Sequence, residues 1–155
     1  MDPRIRPVER DDAFALAALR VQQDREQGRA PRDGFLMAYA DALIEDFASY
    51  RGWLAEEVDG RPVGCVLALR VRKLPTLALP GRPEWWYVQQ VFVSTDRRRR
   101  GIGRRLMHTV QGAARTEQIR WVRLNASTAG RPLFDEVGFG QPMDRLREWV
   151  PEALS

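Results

Sequence analysis

The spacing of apolar residues changes several times along this chain, and each change predicts a different element. Residues 5–8 form a short extended start. Two helical patterns follow, one introduced by Asp11 and Asp12 as N-caps and running to residue 21, the other over residues 35–47. A loop containing glycine and proline separates them at residues 28–34. The chain therefore begins as a strand followed by two amphipathic helices.

The period shortens to two from residue 53 onward, which is typical of strands. Residues 53–58 and 62–71 are rich in strand formers, and Asp59-Gly60 between them indicates a two-residue hairpin. Three prolines between residues 75 and 83 predict a loop, and residues 87–93 are the third strand of this region.

Helical spacing returns at Gly101, after which Ile102, Leu106 and Val110 form one apolar stripe. A strand over residues 122–126, a short helix over 131–137 closed by Gly138, and a last strand over 145–150 complete the pattern. The order β-α-α-β-β-β-α-β-α-β predicts an α/β (α+β) fold, with a mixed, mostly antiparallel central sheet and helices on both faces. A length of 155 residues suits a single domain over residues 1–155.

Composition limits the class of protein. With 44% hydrophobic and 30% charged residues, the chain can fill a core and cover a soluble surface. The longest apolar stretch, residues 63–69, is far shorter than the ~20 residues of a membrane span, so we expect no membrane partner. The charged start lacks an apolar signal core, and Cys65 is the single cysteine, which excludes an internal disulfide. Both features predict a cytoplasmic protein.

Six arginines lie within the nine residues 97–105, although the net charge of the whole chain is only +4. Such a run attracts an anionic partner, whether a phosphate, a nucleic acid or a lipid surface. A solvated charge run explains it equally well, because Lys73 is the only lysine and arginine is used everywhere in this chain. A nucleic-acid patch ranks last, since the run lacks the interleaved aromatic residues of a single-strand platform.

A strand that runs into a turn with glycines at alternate positions, Gly101 and Gly103, and then into a helix predicts a phosphate site. Backbone N–H groups are unpaired at a helix start, where the dipole favours an anion, and a β-carbon would hold a phosphate away. Two common phosphate motifs do not fit. The dinucleotide fingerprint needs a third glycine where Leu106 stands, and the nucleoside-triphosphate loop needs a lysine after its last glycine.

The same segment resembles the R/Q-x-x-G-x-G/A motif of the GCN5-related N-acetyltransferase (GNAT) superfamily, which residues 98–103 match. Residues 91–93 match the apolar strand that precedes this motif in the family, and residues 133–139 are similar to its L-Y-E-x-x-G-F segment. The three segments occur in the family's order, and the resemblance covers about residues 4–150. It implies the acyl-CoA N-acyltransferase fold and acetyl-CoA as co-substrate.

In such proteins the start of the third helix binds the coenzyme A pyrophosphate. The preceding strand parts from its neighbour at a bulge and pairs with the pantetheine arm and the acetyl carbonyl. The resemblance assigns these contacts to the following residues: Val91, Phe92, Val93, Arg98, Arg99, Arg100, Gly101, Ile102, Gly103, Arg104, Ser127 and Phe134. Ser127 stands where the family has an asparagine that contacts pantetheine, and Phe134 where it often has a tyrosine that protonates the leaving thiolate.

The catalytic groups are the least defined part of the resemblance. Many relatives place a carboxylate where this chain has Gln89 and Gln90, so the candidate base is a water held by these residues or by Glu84 on the same strand. Phe134 has no proton to give, which leaves an unassisted thiolate or another acid. No metal is expected, because one histidine and one cysteine cannot furnish a metal site.

The leading prediction is an enzyme that transfers an acetyl group from acetyl-CoA to a primary amine of a small molecule or peptide, in one ternary complex. The alternative is a catalytically weak or inactive module that binds coenzyme A, motivated by Phe134, Gln89 and Gln90. One of Trp85 and Trp86 should be core, and the other can line an acceptor pocket that suits a cationic amine. The sequence predicts no nucleic-acid partner, leaves a homodimer open and does not identify the amine.

Overall fold

The computed structural model describes residues 2–140 and 147–151. These fall into two compact units, the first ending at Asn125 and the second beginning at Ala126. The elements of the first unit are β1 Arg4–Pro7, α1 Ala13–Glu26, α2 Phe35–Glu45, β2 Tyr50–Glu56, β3 Pro62–Arg72, β4 Glu84–Val93, α3 Ile102–Thr116 and β5 Val122–Leu124. The described part of the second unit contains α4, Arg131–Glu136.

The first unit contains a five-stranded sheet in the order β1-β2-β3-β4-β5. Strands β1 to β4 are joined by antiparallel pairings, and β5 pairs with β4 in parallel, from Trp86 opposite Val122 to Val88 opposite Leu124. This confirms the predicted mixed, mostly antiparallel sheet. Because β5 is the last strand of the described sheet, β4 has an unpaired edge wherever β5 does not accompany it.

Helices cover both faces of the sheet. Leu16 and Leu19 of α1 and Leu43 of α2 pack in one cluster with Cys65 of β3 and Phe92 of β4. On the other face, α3 lies against the backbone of β3, and Ile102 and Leu106 approach the position that a Cβ on Gly64 would take. Neighbouring residues of a strand point to opposite faces, so a strand covered on both sides is apolar throughout. This explains the continuous buried run over residues 63–68.

The turn between β2 and β3 is longer than the predicted two-residue hairpin, so that prediction was wrong. The Glu57 N–H donates to the Arg61 carbonyl at 2.9 Å, and the Gly60 N–H donates to the Glu57 carbonyl at 2.8 Å. Gly60 has the expected left-handed conformation, with φ at 86°. The ladder ends at Glu56 opposite Pro62, with a register shift between Ala55 and Glu56.

Two further boundaries differ from the sequence prediction. Strand β5 ends at Leu124, two residues before the predicted end at residue 126. The predicted last strand over residues 145–150 begins outside the described residues, and its described part, residues 147–150, has no regular structure. Among the described residues, the helices are all too short or too polar to span a bilayer.

A substitution at Gly52 of β2 tests the packing of β2 on β3. A Cβ at this position would lie 2.9 Å from the Val66 carbonyl oxygen and 2.9 Å from Leu67 Cδ1. We therefore expect Gly52→Ala to lower the free energy of unfolding by about 1–3 kcal/mol, measured by urea denaturation.

The matched control is Gly112→Ala on α3, where nothing lies within 4 Å of the added Cβ. That change should raise the free energy of unfolding by about 0.5–1 kcal/mol, because alanine favours a helix over glycine. Equal stability of Gly52→Ala and the parent chain would contradict the described packing.

Candidate active site

Strand β4 contains a bulge in its pairing with β3. The register shifts between Leu67, which pairs with Gln90, and Ala68, which pairs with Val88, so Gln89 has no partner on β3. A bulge bends a strand and interrupts its alternation. As a result Tyr87 and Gln90, three residues apart, lie on the face that carries α1 and α2. This is the bulge that the resemblance implies.

The pairing of β4 with β5 stops one residue before the bulge, at Val88 opposite Leu124. No described strand pairs with this edge of β4 from Gln89 to Val93. The Ser94 N–H donates to the Val63 carbonyl on the β3 side at 2.8 Å, and backbone groups alternate along a strand. The N–H and C=O groups of Val91 and Val93 therefore point away from β3, toward the opening beyond the end of β5.

In this structure, side chains donate hydrogen bonds to the backbone carbonyls of both Val91 and Val93. Gln23 Nε2 of α1 donates to the Val91 carbonyl at 3.3 Å, and Arg98 Nε donates to the Val93 carbonyl at 3.0 Å. Arg98 also binds Glu26 at the end of α1, with Nη2 donating to Oε2 at 2.6 Å, and this contact holds the pKa of the Glu26 carboxyl below its ordinary value. The Arg98 side chain thus joins α1 to the end of β4.

The turn after β4 forms an open cradle of backbone amides. Arg99 and Gly101 are left-handed, with φ at 63° and 74°, and α3 begins at Ile102. Among the described residues, no backbone carbonyl accepts from the amides of Arg99, Gly101, Ile102 or Gly103. Nothing lies within 4 Å of the position that a Cβ on Gly101 would take. Unpaired amides at the start of a fifteen-residue helix can bind anions, and the space beside Gly101 is open.

Gln90 lies inside the core and not beside the opening. Its side chain is 3% exposed and accepts a hydrogen bond from the Tyr39 hydroxyl at 2.6 Å. Its amide group donates to the Leu16 carbonyl at 3.4 Å and to Cys65 Sγ at 3.3 Å. Burial raises the pKa of the Cys65 thiol to about 12, so this thiol stays protonated at neutral pH. The network links α1 and α2 to β3 and β4.

Glu84 lies on the opposite face of β4 from Tyr87. Its carboxylate binds Arg70 at 3.1 Å and Arg72 at 3.0 Å, and accepts from Trp86 Nε1 at 2.8 Å. Burial would raise the pKa of Glu84, but these three hydrogen bonds outweigh it and lower the pKa. Among the three predicted base candidates, only Gln89 has an exposed side chain at the bulge. The general base stays a prediction.

The last two predicted cofactor residues lie in the second unit, where each has a local structural contact. Ser127 Oγ accepts from the Gly130 N–H at 3.1 Å, just before α4. Phe134 is buried and meets Phe139 edge-on, with ring centres 6.0 Å apart. Their contacts with a cofactor stay predictions.

Sequence reasoning missed Gln23 and Glu26, which reach the end of β4 from α1. No local motif marks either residue, because their partners are about seventy positions away along the chain. Only the packing of α1 on β4 brings these groups together.

Comparison with known proteins agrees with this geometry. Residues 16–139 match the model of the acetyltransferase (GNAT) family, and the chain therefore belongs to that family. A search of curated proteins finds no significant match.

Solved structures of acetyltransferases resemble the whole chain. A predicted acetyltransferase with acetyl-CoA from Clostridium acetobutylicum is 21% identical over 95% of both chains, with a TM-score of 0.77. A GCN5-related N-acetyltransferase from Ralstonia eutropha is 27% identical over 95% of this chain and 97% of its own, with a TM-score of 0.73. A ribosomal-protein-alanine N-acetyltransferase from Brucella melitensis is 24% identical over 96% of this chain and 98% of its own, with a TM-score of 0.69.

The two glutamines at the bulge should differ in their effect on stability. Replacing Gln90 with alanine leaves the Tyr39 hydroxyl without its acceptor and should lower the free energy of unfolding by about 1–3 kcal/mol. Gln89→Ala is the matched control and should change it by less than about 0.5 kcal/mol, because the side chain is exposed. Urea denaturation followed by tryptophan fluorescence measures both. A stable Gln90→Ala variant would argue against the buried network.

Proposed function

We propose that this protein transfers an acetyl group from acetyl-CoA to a primary amine. One observation carries the proposal: the outward backbone of Val91 and Val93 leads along one strand into the amide cradle around Gly101 and Gly103. An extended arm with amide groups and a diphosphate at its end matches this arrangement. The Clostridium acetobutylicum neighbour, which has the same fold, is described as a predicted acetyltransferase with acetyl-CoA.

The diphosphate of acetyl-CoA would lie against the backbone amides of residues 99–104, with Arg99 and Arg100 adding positive charge. Pantetheine would extend along Val91 and Val93 as a surrogate strand. Its amides compete there with the side chains of Gln23 and Arg98, which hold the same carbonyls. Binding therefore requires these two side chains to move away from the strand edge.

The chemistry that we propose is direct transfer in a ternary complex. The amine nitrogen attacks the thioester carbonyl carbon, a C–N bond forms, the C–S bond breaks, and coenzyme A leaves as a thiolate. A strand N–H directed at the carbonyl oxygen would stabilise the charge that develops there. The amine loses its proton to a water near Gln89. A thiolate is a good leaving group, because a free thiol has a pKa of about 8.5, so the missing tyrosine hydroxyl at Phe134 does not prevent the reaction.

A second candidate is a module that binds coenzyme A without catalysing transfer. The specific observation in its favour is that Glu84 is held by Arg70 and Arg72, while Gln89 and Gln90 have amide side chains that cannot take up a proton. Both candidates share the cradle and differ only in turnover.

Replacing both cradle glycines tests the binding site. In Gly101→Ala/Gly103→Val, the new side chains lie where the diphosphate would approach, and calorimetry should show acetyl-CoA affinity falling by at least about tenfold for each lost hydrogen bond.

The matched control is Gly81→Ala/Gly112→Val, which also changes one left-handed glycine and one glycine of α3, both in open space. It carries the same backbone penalty away from the turn and should keep the parent affinity. If both double variants bind acetyl-CoA as the parent does, the assignment of the cradle fails.

Turnover separates the enzyme from the module. Thiol release with a panel of primary amines should depend on both the amine and acetyl-CoA, and initial-rate plots should intersect, as for a ternary complex. Parallel plots would indicate a covalent enzyme intermediate instead. Tight binding of acetyl-CoA with no thiol release from any amine would favour the module.

A further inference from the structure

The Tyr87 hydroxyl lies at the closed end of the opening beside β4. Asn125 Nδ2 donates to the hydroxyl oxygen at 2.8 Å. The register partner of Tyr87 on β5 is Arg123, and Asn125 follows this partner by two residues, which corresponds to roughly 7 Å of strand at ~3.3 Å per residue. The contact therefore draws the hydroxyl away from Arg123 and toward the level of Gln89, where the pairing of β4 with β5 has ended.

The side chain of Tyr87 is accessible from the face of the sheet that carries α1 and α2. Neighbouring residues of β4 point to opposite faces, so Trp86 and Val88 are buried on the α3 face while Tyr87 is half-buried on the other. This confirms that one of the two neighbouring tryptophans is core. Trp85 shares the face of Tyr87 and packs on the Arg123 guanidinium, whose Cζ lies 5.0 Å from the ring centre, and its place in an acceptor pocket stays a prediction.

The hydroxyl hydrogen of Tyr87 is available to a ligand. A tyrosine hydroxyl both donates and accepts, and the contact with Asn125 uses its oxygen as the acceptor. Within residues 2–140 and 147–151, no group accepts the hydrogen. A hydroxyl that accepts a hydrogen bond becomes a stronger donor, because linked hydrogen bonds polarise one another. Asn125 thus positions this donor and strengthens it.

The proposed mode of acetyl-CoA binding brings the thioester to the same place. An arm that enters from the cradle passes Val93 and then Val91, with its reacting end leading. Strand β5 closes the edge of β4 up to Val88. The reacting end would therefore stop beside Gln89, at the level of the Tyr87 hydroxyl.

The direction of approach favours the sulfur over the carbonyl oxygen as the acceptor. A carbonyl oxygen prefers donors in its own plane, which a strand N–H supplies when the thioester lies along the strand edge. A divalent sulfur carries lone-pair density above and below that plane, and a donor on the face of the sheet lies on this side. The sulfur also lacks the donor that the resemblance implies, because Phe134 has no hydroxyl.

We propose that Tyr87 is a catalytic residue whose hydroxyl donates a hydrogen bond to the sulfur of the acetyl thioester as the C–S bond breaks. The inference rests on the proposed function and adds a residue to its site. The electron pair of the C–S bond goes to the sulfur, and the amine proton goes to the water near Gln89. A phenol is a weaker acid than a thiol, so the hydrogen stays on the Tyr87 oxygen, and the thiolate takes its proton from solvent. Asn125 is a positioning residue.

Replacing Tyr87 with phenylalanine removes only the hydroxyl. Single-turnover thiol release with the fastest amine of the panel should slow by about 10–100-fold, the range for one hydrogen bond to a charged group. Acetyl-CoA affinity measured by calorimetry should stay unchanged, because an uncharged sulfur is a weak acceptor. Tyr50→Phe is the matched control, since Tyr50 packs against the core cluster on β2, two strands from β4, and it should keep the parent rate.

The leaving atom separates catalysis from a structural role. In the selenoester analogue of acetyl-CoA, selenium replaces sulfur, and a selenolate needs less stabilisation than a thiolate in order to leave. Tyr87→Phe should therefore lose most of its defect with the selenoester, whereas damage to the fold would slow both donors equally.

Asn125→Ala leaves the hydroxyl without its fixed orientation. This variant should show a smaller loss with the same dependence on the leaving atom, which answers the question if Tyr87→Phe does not fold. Added to Tyr87→Phe, it should cause no further loss, because the two residues act as one unit.

The outcomes separate this inference from the function on which it rests. A Tyr87→Phe variant with the parent rate, or an equal loss with thioester and selenoester, would overturn the role of Tyr87 and leave acetyl transfer standing. Weaker acetyl-CoA binding at an unchanged single-turnover rate would also overturn it, because the hydroxyl would then contact the bound ligand and not the transition state. No thiol release by the parent protein with any amine would overturn acetyl transfer, and the role of Tyr87 with it.

Discussion

A buried backbone group that leaves a sheet must find another partner, and the second half of β4 is organised by this constraint. Strand β5 ends at Leu124, so the outward groups of Val91 and Val93 have no described strand beside them. The bulge at Gln89 bends β4 where the pairing with β5 stops. Helix α1 contributes Gln23, which binds the Val91 carbonyl, and Glu26, which holds the Arg98 side chain. Side chains thus occupy the two carbonyls that a further strand would otherwise pair.

The arginine run is divided among several tasks. Arg97 binds Glu57 in the β2–β3 turn, Arg98 binds Glu26, and Arg105 donates to the Pro3 carbonyl. Three of the six charges thus tie the cradle to three separate parts of the fold. Arg99 and Arg100 are exposed at the turn itself, so a phosphate bound as we propose would meet a smaller local charge than the sequence suggests. Neither a plain solvated run nor a continuous basic patch describes this arrangement.

Periodicity and motifs predicted the order of elements through α4, the mixed sheet and the glycine turn, because these depend on local spacing. The sequence could not separate Gln89 from Gln90, since the bulge reverses which residue faces the core, and a bulge depends on the register with β3. Nor could the sequence reveal that the Glu84 carboxylate forms ion pairs with Arg70 and Arg72, which lie on another strand. The sequence placed the β2–β3 turn and the start of β3 at Pro62, but it put the end of β2 two residues too late, at residue 58 where the structure has Glu56.

The two occupied carbonyls on β4 have a thermodynamic consequence. Because Gln23 and Arg98 already donate to Val91 and Val93, a pantetheine arm bound as we propose would replace existing hydrogen bonds and gain few new ones. Net affinity would then come mainly from the diphosphate end, because donors of the protein and of the ligand would compete for the same carbonyls along the strand. Such a balance would favour turnover, since contacts along the strand would not retain the spent thiol.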